Sequence, residues 1–160
     1  MKPPIPIVVH LCDYIWLAND SVQLPIAPSD TALLAQYVVS PAFHTSFLPS
    51  DNDETGIHGP FLADRIKPSD FMPLEEPELE DYLASVQFSQ TPEEDETQRA
   101  RVLPDLRSPF QRGSRCFVLK VDERNEELFH DWGWVFTIFR ELVFAASERD
   151  CLERFIIGCD

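Results

Sequence analysis

A chain of 160 residues is long enough for one domain with a real core and too short for two comfortable ones. Hydrophobic residues at 44% and aromatics at 11% exclude whole-chain disorder. The 28 Asp plus Glu against 13 Lys plus Arg give a net charge of −15, which argues against a direct grip on nucleic-acid phosphates or docking onto an anionic membrane.

In chain order, Ile7 to Leu17 is rich in β-branched and aromatic residues and predicts a strand. Ala18-Asn19-Asp20-Ser21 reads as a turn, with Val22 to Ile26 returning as a short edge strand that Pro25 limits. Ser29 is a candidate helix N-cap, followed by Leu33, Leu34, Tyr37 and Val38 on one helical face before Pro41. Prolines at 41, 49, 60, 68 and 73 predict an irregular segment over 40–73. Beyond Pro77, the spacing of Leu79, Tyr82, Leu83 and Val86 predicts a helix with Glu76, Glu80 and Asp81 facing water. Residues 88–113 are poor in apolar side chains and read as a second irregular, mobile excursion. Three strands close the chain: Cys116 to Val121, Trp134 to Ala146, and Cys151 to Ile157, with a helix starting at Ser147 as the rival to the last. The fold class is α+β: a single domain over 1–160, an antiparallel sheet with a C-terminal three-stranded meander, two or so helices, and long Pro-rich and acidic loops.

The N-terminal run is broken by Pro3, Pro4, Pro6, His10 and Asp13, so no signal peptide is expected. No stretch approaches the roughly 20 apolar residues of a membrane span. Cys12, Cys116, Cys151 and Cys159 lie far apart, as buried thiols of a cytoplasmic protein would.

Candidate chemical groups were weighed in turn. His10 and Cys12 share a strand face but lack the further pair a zinc site needs. Asp51 to Gly56 opens like a calcium loop, yet position 12 of that loop is Leu62 rather than Glu. His130-Asp131 has no nucleophile elbow beside it, and no phosphate-cradling glycine loop exists. The expectation is therefore no catalytic residue, no metal and no cofactor.

The carboxylates stand out instead. Residues 51–98 carry a net −12, against −2 for 1–50, +4 for 99–119 and −5 for 120–160. Glu75, Glu76, Glu78, Glu80 and Asp81 crowd one helix start, and Glu93, Glu94, Asp95 and Glu96 form an uninterrupted tetrad. These nine are the candidate partner-binding residues, because a self-repelling field this dense suits a cationic partner surface. Phe43, Phe47, Phe61 and Phe71 are candidate apolar anchors or, equally, core. The arginines at 99, 101, 107, 112 and 115 could fold back and neutralise the acids internally.

The small acidic α+β profile resembles bacterial immunity proteins, the antitoxins of contact-dependent and type VI secretion toxin systems. Trp132-Gly133-Trp134 through Phe139-Arg140-Glu141-Leu142-Val143 to Ile156-Ile157-Gly158-Cys159-Asp160 looks like their closing hairpin. The resemblance implies a one-to-one inhibitor that occludes the basic active-site cleft of a cognate toxin. The competing expectations are a nucleic-acid-mimicking inhibitor of a DNA-binding defence enzyme and a small enzyme without a recognisable motif.

Overall fold

The computed structural model describes residues 7–11, 15–44, 47, 56–131 and 137–159. An antiparallel sheet of six strands runs through the molecule in the order β1-β2-β8-β7-β6-β5. Its strands are β1 (Ile7–His10), β2 (Ile15–Gln23), β5 (Phe71–Leu74), β6 (Arg115–Leu119), β7 (Ile138–Ala145) and β8 (Cys151–Cys159). A two-residue hairpin, β3 (Ile57–His58) with β4 (Phe61–Leu62), stands apart from it. The helices are α1 (Asp30–Val38), α2 (Leu79–Ala84) and α3 (Pro92–Gln111).

Strand side chains alternate between two cores, as the pleat requires. On one face Trp16, Ala18 and Val22 of β2, Phe139, Val143 and Ala145 of β7, and Leu152 and Ile156 of β8 pack against α1 and the hairpin. On the other, Leu17, Leu142, Phe144, Phe155 and Ile157 pack against α2 and α3 through Leu79, Leu83, Val102 and Leu106. The sheet is thus the middle of three layers.

The C-terminal meander forms as expected, with β8 a strand paired to both β7 and β2. Ser29 caps α1, its hydroxyl accepting from the Ala32 N–H at 3.2 Å, and Leu33, Leu34 and Tyr37 face inward. Three expectations are overturned. The strand expected over Ile7 to Leu17 is two strands: β1 ends at His10 and pairs antiparallel with β2, which starts at Ile15. Residues 18–21 are not a turn but the middle of β2, paired in register with Phe155, Arg154 and Glu153 across β8. The mobile excursion over 88–113 is mostly the 20-residue helix α3. Its apolar stripe is thin (Val102, Leu106 and Pro109 are its buried apolar residues), and Pro104 and Pro109 sit inside it, two features that hide a helix from pattern reading.

Phe43, Phe61 and Phe71 are buried, and Phe47 is partly buried against Trp16 and Phe139, so all four belong to the core rather than to an exposed anchor set. Cys116 is buried, and burial pushes its thiol well above the ordinary range; Cys151 and Cys159 are free and only half-buried. Cys12, Asp51 to Thr55, and Trp132 to Phe136 lie outside the described residues, as does the His10 side chain.

Gly158 of β8 faces the Trp16 ring so closely that an added Cβ would lie 2.2 Å from it. Gly158→Ala is expected to destabilise the protein by roughly 1–3 kcal/mol through overpacking, read as a shift of the urea midpoint at unchanged slope; an unchanged midpoint contradicts this packing.

Candidate functional site

The two acidic clusters sit on the helical layer. Glu75 to Asp81 lead into and through α2, while Glu93, Glu94 and Asp95 occupy the first turn of α3, where the helix dipole favours negative charge, with Glu96 directly after them. Late in α3, Arg107 pairs with Glu80, at the start of α2. Early in α3, Asp95 accepts from the Phe88 and Ser89 N–H groups just past the end of α2. The two helices therefore run antiparallel, and the clusters lie apart by about 18 Å, the rise of the twelve residues from 95 to 107.

All nine candidate residues except the half-buried Asp95 are exposed. The five arginines neutralise little of this charge. Arg99 pairs with Asp95 at 3.0 Å and Arg107 with Glu80, but Arg112 turns to Glu153 and Arg115 to Asp30. Glu78 and Glu94 do local work, accepting from the Glu75 N–H and the Ser89 hydroxyl. Glu75, Glu76, Asp81, Glu93 and Glu96 form no side-chain ion pair among the described residues. Arg99, Arg101 and Arg107 interrupt the α3 surface, which departs from the unbroken phosphate-like spacing a nucleic-acid mimic needs.

A second assembly, not anticipated from the sequence, lies under α1. Glu141 of β7 is fully buried, and its Oε1 accepts from the Tyr37 hydroxyl of α1 at 2.5 Å. Its Oε2 is 2.6 Å from His58 Nε2 on the hairpin. His58 Nδ1 meets the Phe43 carbonyl at 2.6 Å; a carbonyl only accepts, so that nitrogen donates, and one further proton must lie between Nε2 and the carboxylate. Arg154 of β8, 2% exposed, donates to both Asp20 oxygens at 2.8 and 2.5 Å, to the Ala42 carbonyl at 2.6 Å, and to Tyr37 Oη at 3.2 Å. The Phe43 ring stacks on His58 at 3.7 Å, and Phe47 lies over the Arg154 guanidinium. This assembly ties α1, the hairpin and three strands together. Burial alone would raise the Glu141 carboxyl, but the His58 imidazole, the Arg154 charge and the Tyr37 hydroxyl outweigh it and hold that group below the usual carboxylate range. Burial pushes the Tyr37 phenol well up.

His130 Nε2 is 2.9 Å from the Gly59 carbonyl and joins the hairpin to the segment before β7. No cluster of metal-ligating side chains and no helix long and apolar enough to cross a membrane occurs among the described residues.

No family model matches the chain, and no curated protein matches it. Among solved structures, the crystal structure of citrus MAF1 is similar over 95% of this chain and 91% of that one, with a TM-score of 0.46 and 8% identity. A likeness that distant assigns neither a family nor an activity.

Because the Glu141 carboxyl is held down in the fold, its contribution to stability is complete above about pH 4.3, the ordinary glutamate value, and is lost as pH falls through the depressed value. Glu141→Gln is expected to cost roughly 3–5 kcal/mol at neutral pH, since it leaves the buried His58 without its anion and removes the negative charge near Arg154, which keeps its pair with Asp20. The difference from wild type should shrink on acidification. Urea unfolding at several pH values checks both, and a difference independent of pH contradicts the assignment.

Proposed function

We propose that the protein is an inhibitory binding partner, an immunity or antitoxin protein that occludes the basic cleft of a cognate toxin through its acidic α2–α3 layer. The observation that carries this reading is the near absence of internal neutralisation: eight of the nine carboxylates are exposed, and within the set ion pairs form at Glu80 and Asp95. Mechanistically the blockade is steric and electrostatic. Carboxylates on a rigid helical layer meet cations that would otherwise hold the toxin's substrate, and complementary fields accelerate encounter toward about 10⁸–10⁹ M⁻¹s⁻¹ at low salt. Placement on helices matters because the backbone is already ordered, which lowers the cost of binding to that of the side chains.

The test is capture from the native host at low salt, followed by expression of the captured protein with and without this chain. An immunity role requires toxicity that co-expression relieves. Neutralising Glu75, Glu76, Glu93 and Glu96 to Gln should lower the association rate about tenfold or more and flatten its salt dependence, with little change in dissociation. Unaltered association kinetics in that variant defeat the electrostatic mechanism.

A further inference from the structure

Strand β7 outruns its neighbour. Pairing of β6 with β7 ends at Val118 and Leu142, whereas β7 continues against β8 back to Ile138. Beside that overhang the chain leaving β6 turns away, and a cleft of about 530 Å³ opens against α2. Its floor is apolar, made by Phe61, Leu74, Leu119 and Phe139. The α2 wall is one helical stripe: Glu78, Asp81, Tyr82 and Ser85 fall at i, i+3, i+4 and i+7, while Leu79, Leu83 and Val86 turn into the core. The opposite wall brings Glu123 and Arg140, which satisfy each other at 2.7 Å, and Lys120.

Three groups on the α2 wall lack an ionic or polar partner in full or in part. Glu78 and Asp81 form no ion pair among the described residues, though Glu78 accepts from the Glu75 N–H, in contrast to Glu80, which turns to Arg107 on α3. The Tyr82 hydroxyl is buried with no hydrogen-bond partner among the described residues. A buried hydroxyl in that state is uncommon in native interiors and invites a partner from outside the chain.

We propose that this cleft receives one arginine side chain of the basic partner protein. Its methylene stem lies on the Phe61, Leu119 and Phe139 floor, its guanidinium meets Glu78 and Asp81, and the Tyr82 oxygen accepts one of its N–H groups. A guanidinium suits this better than an ammonium: it has five donors in one plane, sheds water more readily, and can serve two carboxylates and a phenol together. Of the two like charges on the opposite wall, Arg140 is offset by Glu123 and Lys120 stands against the Glu78–Asp81 pair, so the cleft keeps a net negative charge. An apolar floor under a charged rim is also the anatomy of an energetic anchor pocket. The proposal rests on the acidic-docking reading and narrows it to one subsite.

The full chain is titrated with a hexa-arginine peptide at low salt, by calorimetry and by mapping amide resonance shifts. Shifts are expected to centre on residues 78–85 and 119–123. The double variant E78Q/D81N should bind about tenfold more weakly. D105N/E148Q, at exposed carboxylates outside both the cleft and the nine candidate residues, should stay within about twofold. Tyr82→Phe is the sharper probe. Losing an unsatisfied hydroxyl should leave thermal stability equal or higher, yet weaken peptide binding about threefold to tenfold, a pattern that a purely structural tyrosine does not produce. Hexa-lysine should bind several-fold more weakly than hexa-arginine, and equal affinity overturns the choice of arginine. Shifts centred on the first turn of α3, or unchanged binding in E78Q/D81N, overturn the cleft while leaving the wider acidic-docking reading intact. Absence of any binding at low salt overturns both.

Discussion

The buried Glu141 carboxylate is the constraint around which the rest is arranged. Two anionic oxygens without access to water must each meet a donor, and these come from α1 through Tyr37 and from the hairpin through His58. Arg154 and Asp20 complete the charge balance across β2 and β8. Because His58 is paired with Phe61 across the hairpin, anchoring the imidazole also places Phe61 against Phe139. Gly59, with φ +52, lets the hairpin turn press onto the Phe139 ring, where a Cβ would come within 2.2 Å. The network thus helps place Phe61 and Phe139 of the cleft floor without lining the cleft itself. A hydrophobic replacement of the whole network could be as stable, so its value lies in fixing where the hairpin docks.

Part of the acidity is ordinary structural chemistry. Asp95 closes the α2–α3 connection with two backbone bonds, Glu78 satisfies the Glu75 N–H, and acids in the first turn of α3 gain about 0.3–1 kcal/mol each from the dipole. These roles account for some of the nine residues and not for their number. Glu75, Glu76 and Asp81 precede or lie within a six-residue helix too short for its dipole to reward them all, and like charges one turn apart repel by a few tenths of a kcal/mol. The remainder is a cost in the isolated protein, which favours a use outside it.

Much of the architecture could be read from residues alone. Ser29 before Leu33, Leu34 and Tyr37 announced α1, and the C-terminal apolar runs announced β6, β7 and β8. The failures share a cause: a residue type taken at its local preference was overruled by a partner distant in sequence. Asn19 and Asp20 favour turns, but Arg154, far along the chain, holds Asp20 within β2. Pro104 and Pro109 disfavour a helix, yet Gln98, Val102, Leu106 and Pro109 recur at near-helical intervals and bury a stripe under the sheet. A signal for the network was present, since Glu141 and Arg154 fall on the same strand faces as Phe139 and Val143, and as Leu152 and Ile156, where apolar residues are expected. Charged residues in such places demand partners, and Tyr37 on the predicted inner face of α1 was one. The cleft was not readable, because it depends on where β6 stops relative to β7, a matter of register.

Helix α2 keeps a buried stripe and an exposed stripe separate within one short segment. Six residues cannot hold a helix in water, so α2 exists because Leu79 and Leu83 are buried beneath it. That stripe is apolar and complete. Glu80 spends its charge on Arg107 and fixes the neighbouring helix, whereas Glu78 and Asp81 line the cleft without an ion pair among the described residues, Glu78 also accepting from the Glu75 N–H. Surface charges of that kind contribute little to folding, typically under about 1 kcal/mol. The cleft-facing carboxylates can therefore change without disturbing the core, an independence that follows from the 3.6-residue period of the helix.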